Sequence, residues 1–413
     1  LAPRRIDPAT LASVLPPDGR TLVVACSGES LLLADAVMRA GEALGAMTFT
    51  GIFVPGLNTR TYLANPRCRV ETFFVTPELR DAGAAVTFLP LCYGDILSRL
   101  RTIRIDAAVF MATPPDNEGW CSFGPIVDFF AELWPQIPVR IAHINPLLPR
   151  TRGHKGIPYA ELTAVVEGEQ RLLGFADAAD DPVAAAIAKN VAARIPDGAT
   201  VQTGLGRIPT AVLRALTSHR NIRIHSGLIG DAVVGLADAG ALAPGCAVTG
   251  GVAIGSQRLY AAVGGPTFAF TPVSNTHNPR VIAAIDNFVA VNSAIEVDLL
   301  GQVYAEMTPN GLTSGPGGAS DFARAAWCGG GLRIVALPAT TAKGAISRIV
   351  APNAGAGPIS LGRMDTDVIV TQYGAADLRG LSHDARAHAL IDVAAPDHWE
   401  TLACRWDTFA ARF

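Results

Sequence analysis

The sequence predicts an α/β protein built from two tandem, similar domains whose largely parallel sheets face an interdomain cleft. Three observations carry this expectation. Apolar runs of strand length end in glycine-bearing turns and pass into helical apolar spacing, which marks strand–turn–helix units. The units of the first half return in the same order in the second. The chain has 413 residues, 49% apolar and only 17% charged, enough for two domains with sizeable cores. The division is expected near residue 190, giving domains 1–190 and 191–413.

In chain order, a proline-rich lead precedes a buried strand over 21–25, the turn Cys26-Ser-Gly-Glu-Ser30 and a helix over 31–40. Strands follow over 47–53 and, shorter, 88–91. A strong strand over 106–111 is stopped by Pro114 and Pro115. Another over 139–144 runs into a loop holding Arg150, Arg152, His154 and Lys155. Pro182 opens an amphipathic helix over 183–195 that links the halves.

The second half repeats the first. The strand and turn at 201–206, with a helix over 210–216, echo 24–29 and its helix. Ile224-His-Ser-Gly227 echoes Thr48-Phe-Thr-Gly51, 287–293 echoes 106–112, and 333–338 echoes 140–145. Four matches in one order point to a tandem duplication. Two such domains face to face form a cleft, the usual place for a ligand.

Composition narrows the function. A net charge of −3 gives no basic surface for nucleic acid. No apolar window is long enough for a membrane span, and no apolar signal core follows Leu1-Ala-Pro-Arg-Arg5. Seven cysteines without a C-x-x-C pair read as free thiols in a reducing cytoplasm, with Cys121 read as buried and inert. Eight scattered histidines lack metal-ligand spacing, so no metal is expected. There is no G-x-S-x-G elbow, phosphate loop or H-E-x-x-H.

What remains is a set of bare loops. Gly204-Leu-Gly206 lies between a strand and a helix, where backbone N–H groups bind anions. Gly315-Pro-Gly-Gly318 opens a helix and lets a ligand lie against the main chain, where two N–H donors suit an oxyanion. Lys343, with Arg348 nearby, follows the last strong strand, as Arg150, Arg152 and Lys155 follow its repeat; cations there suit a polyphosphate. Glu29, Glu118 and Glu296 sit at strand ends, where an acid acts as base or nucleophile, though such residues also serve simply as turn or salt-bridge groups.

These residues resemble the acetyl-CoA hydrolase/CoA-transferase family, single-chain class I CoA-transferases that include 4-hydroxybutyrate and succinyl–acetate CoA-transferases. The resemblance spans most of the chain. It rests on Pro114-Pro-Asp-Asn-Glu-Gly-Trp-Cys-Ser-Phe-Gly124, Asn145-Pro-Leu-Leu-Pro-Arg-Thr-Arg-Gly153 and Gln202-Thr-Gly-Leu-Gly-Arg-Ile-Pro209. Ile295-Glu-Val-Asp-Leu-Leu-Gly-Gln-Val303, Gly315-Pro-Gly-Gly-Ala-Ser-Asp-Phe322, Thr340-Thr-Ala-Lys-Gly-Ala-Ile-Ser-Arg348 and Tyr373-Gly-Ala-Ala-Asp-Leu-Arg-Gly-Leu381 extend it.

The resemblance implies ping-pong chemistry in which a glutamate attacks an acyl-CoA, forms a mixed anhydride, and holds CoA as a thioester until a second carboxylate takes it. Coenzyme A is then a substrate, with no permanently bound cofactor, and a small carboxylate is the other partner. Gly204, Leu205, Gly206, Arg207 and Ile208 are implied to line the CoA site. Ser314, Gly317 and Gly318 are implied to meet CoA or the oxyanion, and Lys343 the phosphates. A homodimer is also implied.

The sequence departs from the family where the chemistry is densest. The family nucleophile is the glutamate of a His-Ser-Glu or His-Thr-Glu triplet; here the triplet is His225-Ser226-Gly227. Gln372 stands where the family has the glutamate of Thr-Glu-Tyr-Gly. Glycine has no carboxylate, so the covalent route cannot run at position 227. Three readings stay open. A displaced register, or a substitute acid such as Glu118 or Glu296, restores transfer; the site activates a bound acyl-CoA for attack by water or C–C cleavage; or the protein binds a CoA ester without turning it over.

Overall fold

The computed structural model describes residues 2–175, 181–341 and 344–412. The predicted class is the one observed: among these residues stand two eight-stranded, mostly parallel sheets. The first contains β1 (Arg4–Arg5), β2 (Arg20–Val23), β3 (Thr48–Gly51), β4 (Arg69–Thr72), β5 (Val86–Phe88), β6 (Ala107–Ala112), β7 (Val139–Ile144) and β8 (Ala164–Glu167). Its order is β1-β8-β7-β6-β2-β3-β4-β5, parallel throughout.

The second sheet contains β9 (Thr200–Thr203), β10 (Arg223–Ile229), β11 (Val248–Ala253), β12 (Phe268–Phe270), β13 (Phe288–Ser293), β14 (Leu332–Ala336), β15 (Val368–Thr371) and β16 (Gly374–Asp377). Its order is β12-β11-β10-β9-β13-β14-β15-β16. Each strand named in the sequence repeat has its counterpart at the same place: β2 with β9, β3 with β10, β6 with β13, β7 with β14. The far edges differ, because β16 pairs antiparallel with β15 while β1 joins β8 in parallel.

The chain packs as two compact units. One is Leu1–Asp177, Gly227–Ile229 and Val248–Thr276; the other is Ala178–Ser226, Gly230–Ala247 and His277–Phe413. β10 therefore runs from one unit into the other. Its start pairs with β9 in the second, and its Gly227–Ile229 end belongs to the first, along with β11 and β12.

Local chemistry explains the elements. Every residue of β6 is buried, as a parallel strand covered on both faces requires, and its sequence Ala-Ala-Val-Phe-Met-Ala has no polar member. Helix α1 (Leu31–Ala40) starts where the Ser30 hydroxyl accepts from the Leu33 N–H and stops at Gly41, whose φ is +53°. Helix α2 (Tyr93–Thr102) buries Ile96, Leu97 and Leu100. Helix α3 (Pro182–Ala192) has proline in its first turn, and the Asp181 carboxylate accepts from the Val183 and Ala184 N–H groups. The strand expected over 88–91 lies instead at Val86–Phe88, because Pro90 has no N–H to extend the ladder.

Candidate active site

In the second unit, Gly204, Leu205 and Gly206 follow β9, exposed at the carboxyl edge of the sheet, and helix α4 (Arg207–Ala215) begins directly after them. Gly206 has φ +123°, while a Cβ there would meet nothing nearer than Pro209 at 4.0 Å. Backbone conformation, not crowding, selects glycine. No side chain caps α4, so its first turn presents its amides at the bare loop. The exposed Arg207 guanidinium lies 3.3 Å from Asp181.

Helix α5 (Ala319–Cys328) begins at Gly318, and here crowding decides. A Cβ on Gly318 would stand 2.7 Å from the His277 Nε2 and 3.1 Å from the Phe322 ring. Burial, then the neighbouring His225, pushes the His277 pKa down to about 3, so that imidazole is neutral. The Ser314 hydroxyl donates to the Gly315 carbonyl at 3.0 Å, and Gly317 has φ +60°. Gly204–Ile208, Ser314, Gly317 and Gly318 thus share one unit; Lys343 lies outside the described residues.

In the first unit, the Gly227 end of β10 lies beside β11. A Cβ on Gly251 would stand 3.0 Å from the Gly227 carbonyl oxygen and 3.5 Å from Asp128 Oδ1. Asp128 was not a sequence candidate. It is 7% exposed, and its Oδ1 is buried without a hydrogen-bond partner. Its φ is +33°, uncommon outside glycine, and both flanking backbone groups are tied down. The Asp128 N–H donates to the Gly251 carbonyl at 3.3 Å, and its carbonyl accepts from the Val273 N–H at 3.3 Å.

Asp128 also lines a cavity of about 30 Å³ with Cys26, Gly51 and Ile52, at the carboxyl ends of β2 and β3. Burial, then repulsion from Glu132, raises its pKa to about 8. A signal for it existed in the sequence: one acid set in the apolar run Ile126-Val-Asp-Phe-Phe-Ala131. A charge there must be either buried at a cost or functional.

Residues 255–405 match the acetyl-CoA hydrolase/transferase C-terminal domain. The chain is 35% identical over 347 residues to a 4-hydroxybutyrate coenzyme A transferase of Clostridium kluyveri, covering 81% of each chain. It is also 35% identical to a succinyl-CoA:acetate/propanoyl-CoA:succinate CoA transferase of Fasciola hepatica, over 78% of this chain and 70% of that one. Among solved structures, RipA from Yersinia pestis superposes with a TM-score of 0.90 at 26% identity, over 98% of this chain and 97% of that one. The chain belongs to the acetyl-CoA hydrolase/CoA-transferase family. It is an enzyme of that family, as its motifs implied.

Within this family fold, the two acids weighed as substitutes for the missing glutamate have other attachments. The Glu118 side chain is 71% exposed and accepts from Lys155 Nζ at 2.7 Å, above the Trp120 ring. Glu296 accepts from the Ala356 N–H at 2.8 Å and so anchors a loop. Glu29 is fully buried and accepts from Asn58 Nδ2 and the Tyr62 hydroxyl, both at 2.9 Å; burial raises its pKa. Arg150 donates to Thr113, to the Pro114 and Trp120 carbonyls and to Asp116, pinning the 114–124 loop. The Gln372 Oε1 accepts from the Ala339 N–H at 2.9 Å.

Among the described residues, no group of three or more His, Cys, Asp or Glu could hold a metal, and no helix is long and apolar enough to cross a membrane.

Proposed function

We propose that this enzyme hydrolyses an acyl-CoA thioester by direct attack of water, without a glutamyl-CoA intermediate at position 227. One observation carries the reading: the triplet that holds the family's nucleophile keeps its strand, histidine and serine, but ends in Gly227. The CoA moiety is assigned to Gly204, Leu205, Gly206, Arg207, Ile208 and Lys343, and the developing oxyanion to the backbone at Ser314, Gly317 and Gly318. The family membership, the open loop at Gly204 and the uncapped start of α4 support that assignment.

The test is incubation with a panel of acyl-CoAs, with and without acetate, following free thiol and exchanged thioester by mass spectrometry. Release of CoA thiol without acetate, and no acetyl-CoA formed with it, is the expected result. Exchange dependent on the carboxylate supports a substitute nucleophile instead. Tight CoA binding without consumption of any thioester reduces the protein to a CoA-ester binder.

A further inference from the structure

Hydrolysis needs a group that removes a proton from water as it attacks, and the two sequence candidates are tied to Lys155 and to the Ala356 backbone. We propose that Asp128 is that base, acting on a water beside Gly227 of β10; the assignment rests on the hydrolytic reading above. Geometry supports it in three independent ways. Asp128 Oδ1 is buried with no hydrogen-bond partner, so a lone pair is uncommitted. It lies over Gly251, the residue whose other close neighbour is the Gly227 carbonyl. The unusual φ of Asp128 is held by backbone hydrogen bonds on both sides, which fixes where its Cβ stands beside β11.

The surroundings fit the task. The small cavity that Asp128 shares with Cys26, Ile126 and Phe129 is mostly apolar, which keeps its carboxyl among side chains that offer it no charge. The groups around the carboxyl are the Cys26 thiol and Glu132, which is itself paired with Arg101 of α2 and accepts from the Ser274 N–H. No cation contacts Asp128 directly among its described neighbours, and its raised pKa brings proton transfer close to neutral pH.

The step balances. Asp128 takes one proton from water as the water oxygen bonds to the thioester carbonyl carbon. The carbon–sulfur bond then breaks, the departing sulfur takes that proton from Asp128, and a carboxylic acid and CoA thiol leave.

The experiment compares the parent with Asp128→Asn and Asp128→Glu, measuring kcat and KM for thioester hydrolysis against pH and CoA binding by calorimetry. Expected are a parent kcat that rises with pH with its midpoint near about pH 8 and levels off above it, and a loss of about 100-fold or more in Asp128→Asn with CoA binding intact. The residual rate of that variant should lack the limb, and Asp128→Glu should regain part of the rate with a displaced limb. Asp128→Asn with a near-parental kcat and the same limb overturns the assignment while leaving hydrolysis standing. A parent that consumes no thioester overturns both. Should Asp128→Asn fail to bind CoA, the fold has been disturbed and Asp128→Glu decides: an unmoved limb at full rate refutes the role.

Discussion

The burial of Asp128 has a measurable consequence for stability that does not depend on catalysis. Its carboxyl has an ordinary pKa of 3.8 when the chain is unfolded and about 8 in the fold, chiefly because burial penalises the charged form. Between these values the folded protein holds one proton more than the unfolded chain. The acid's contribution is therefore full below the unfolded pKa and is lost as pH rises toward the folded one. Each pH unit in this window is worth about 1.4 kcal/mol, so moving from about pH 5 to about pH 8 removes at most about 4 kcal/mol.

Relaxation and water entry lower such penalties, leaving about 2 kcal/mol as the working figure. Asp128→Asn cannot ionise and escapes the loss. In a unit of this size that difference corresponds to about 4–8 °C in Tm. Thermal unfolding of parent and variant across the same pH range is the assay, with the shift expected in the transition of the first unit. The variant's Tm relative to the parent should climb steadily with pH. Two curves that stay parallel would show that Asp128 ionises normally in the fold, and the reasoning fails.

Other outcomes follow from other residues. Gly227→Glu returns a carboxylate to the family triplet and should confer acetate-dependent CoA exchange absent from the parent; hydroxylamine or borohydride trapping should then mark the peptide 222–231 in the variant only. Arg333 and Asp367 form a buried bidentate pair, 2.6 and 3.0 Å long, so Arg333→Met alone should cost about 3–5 kcal/mol while pairing it with Asp367→Leu recovers much of the loss, as chemical denaturation will read. Cys246, Cys328 and Cys404 are exposed while Cys26, Cys68 and Cys121 are buried, so a thiol reagent should label the first three rapidly; fast modification of Cys121, whose pKa burial raises to about 11, would contradict the fold.

The repeat was readable because buried parallel strands are rich in apolar residues, and those expected at 106–111 and 139–144 surfaced as β6 and β7 despite Arg140 and His143 in the latter. β4 was not readable. Its sequence Arg-Val-Glu-Thr carries Glu71 into the sheet, and the guanidinium groups of Arg99 at 2.8 Å and Arg20 at 3.8 Å reconcile that carboxylate with burial. Partners 28 and 51 positions away leave no local trace. The loops at Gly204 and Gly318 were equally visible as glycine clusters, yet the reasons differ: backbone conformation at Gly206, the His277 ring at Gly318. Asp128 follows no strand, and its importance comes from packing against Gly251, a contact across 123 positions of chain.

The exchange of glutamate for glycine alters what kind of acid the reaction can use. A carboxylate that attacks an acyl group must be ionised and exposed enough to form a bond, which asks for cations or N–H donors around it. A carboxyl that shuttles a proton works best with a pKa near the working pH, which asks for burial without a cation. Asp128 has the second set of surroundings: apolar neighbours on both sides in the chain, Glu132 close by with its charge spent on Arg101, and one oxygen left unbonded. Glu118, 71% exposed and paired with Lys155, lacks the burial that proton transfer asks for. With glycine at 227, the buried acid beside that strand is suited to moving a proton and not to carrying an acyl group, and water is the nucleophile such an acid can activate.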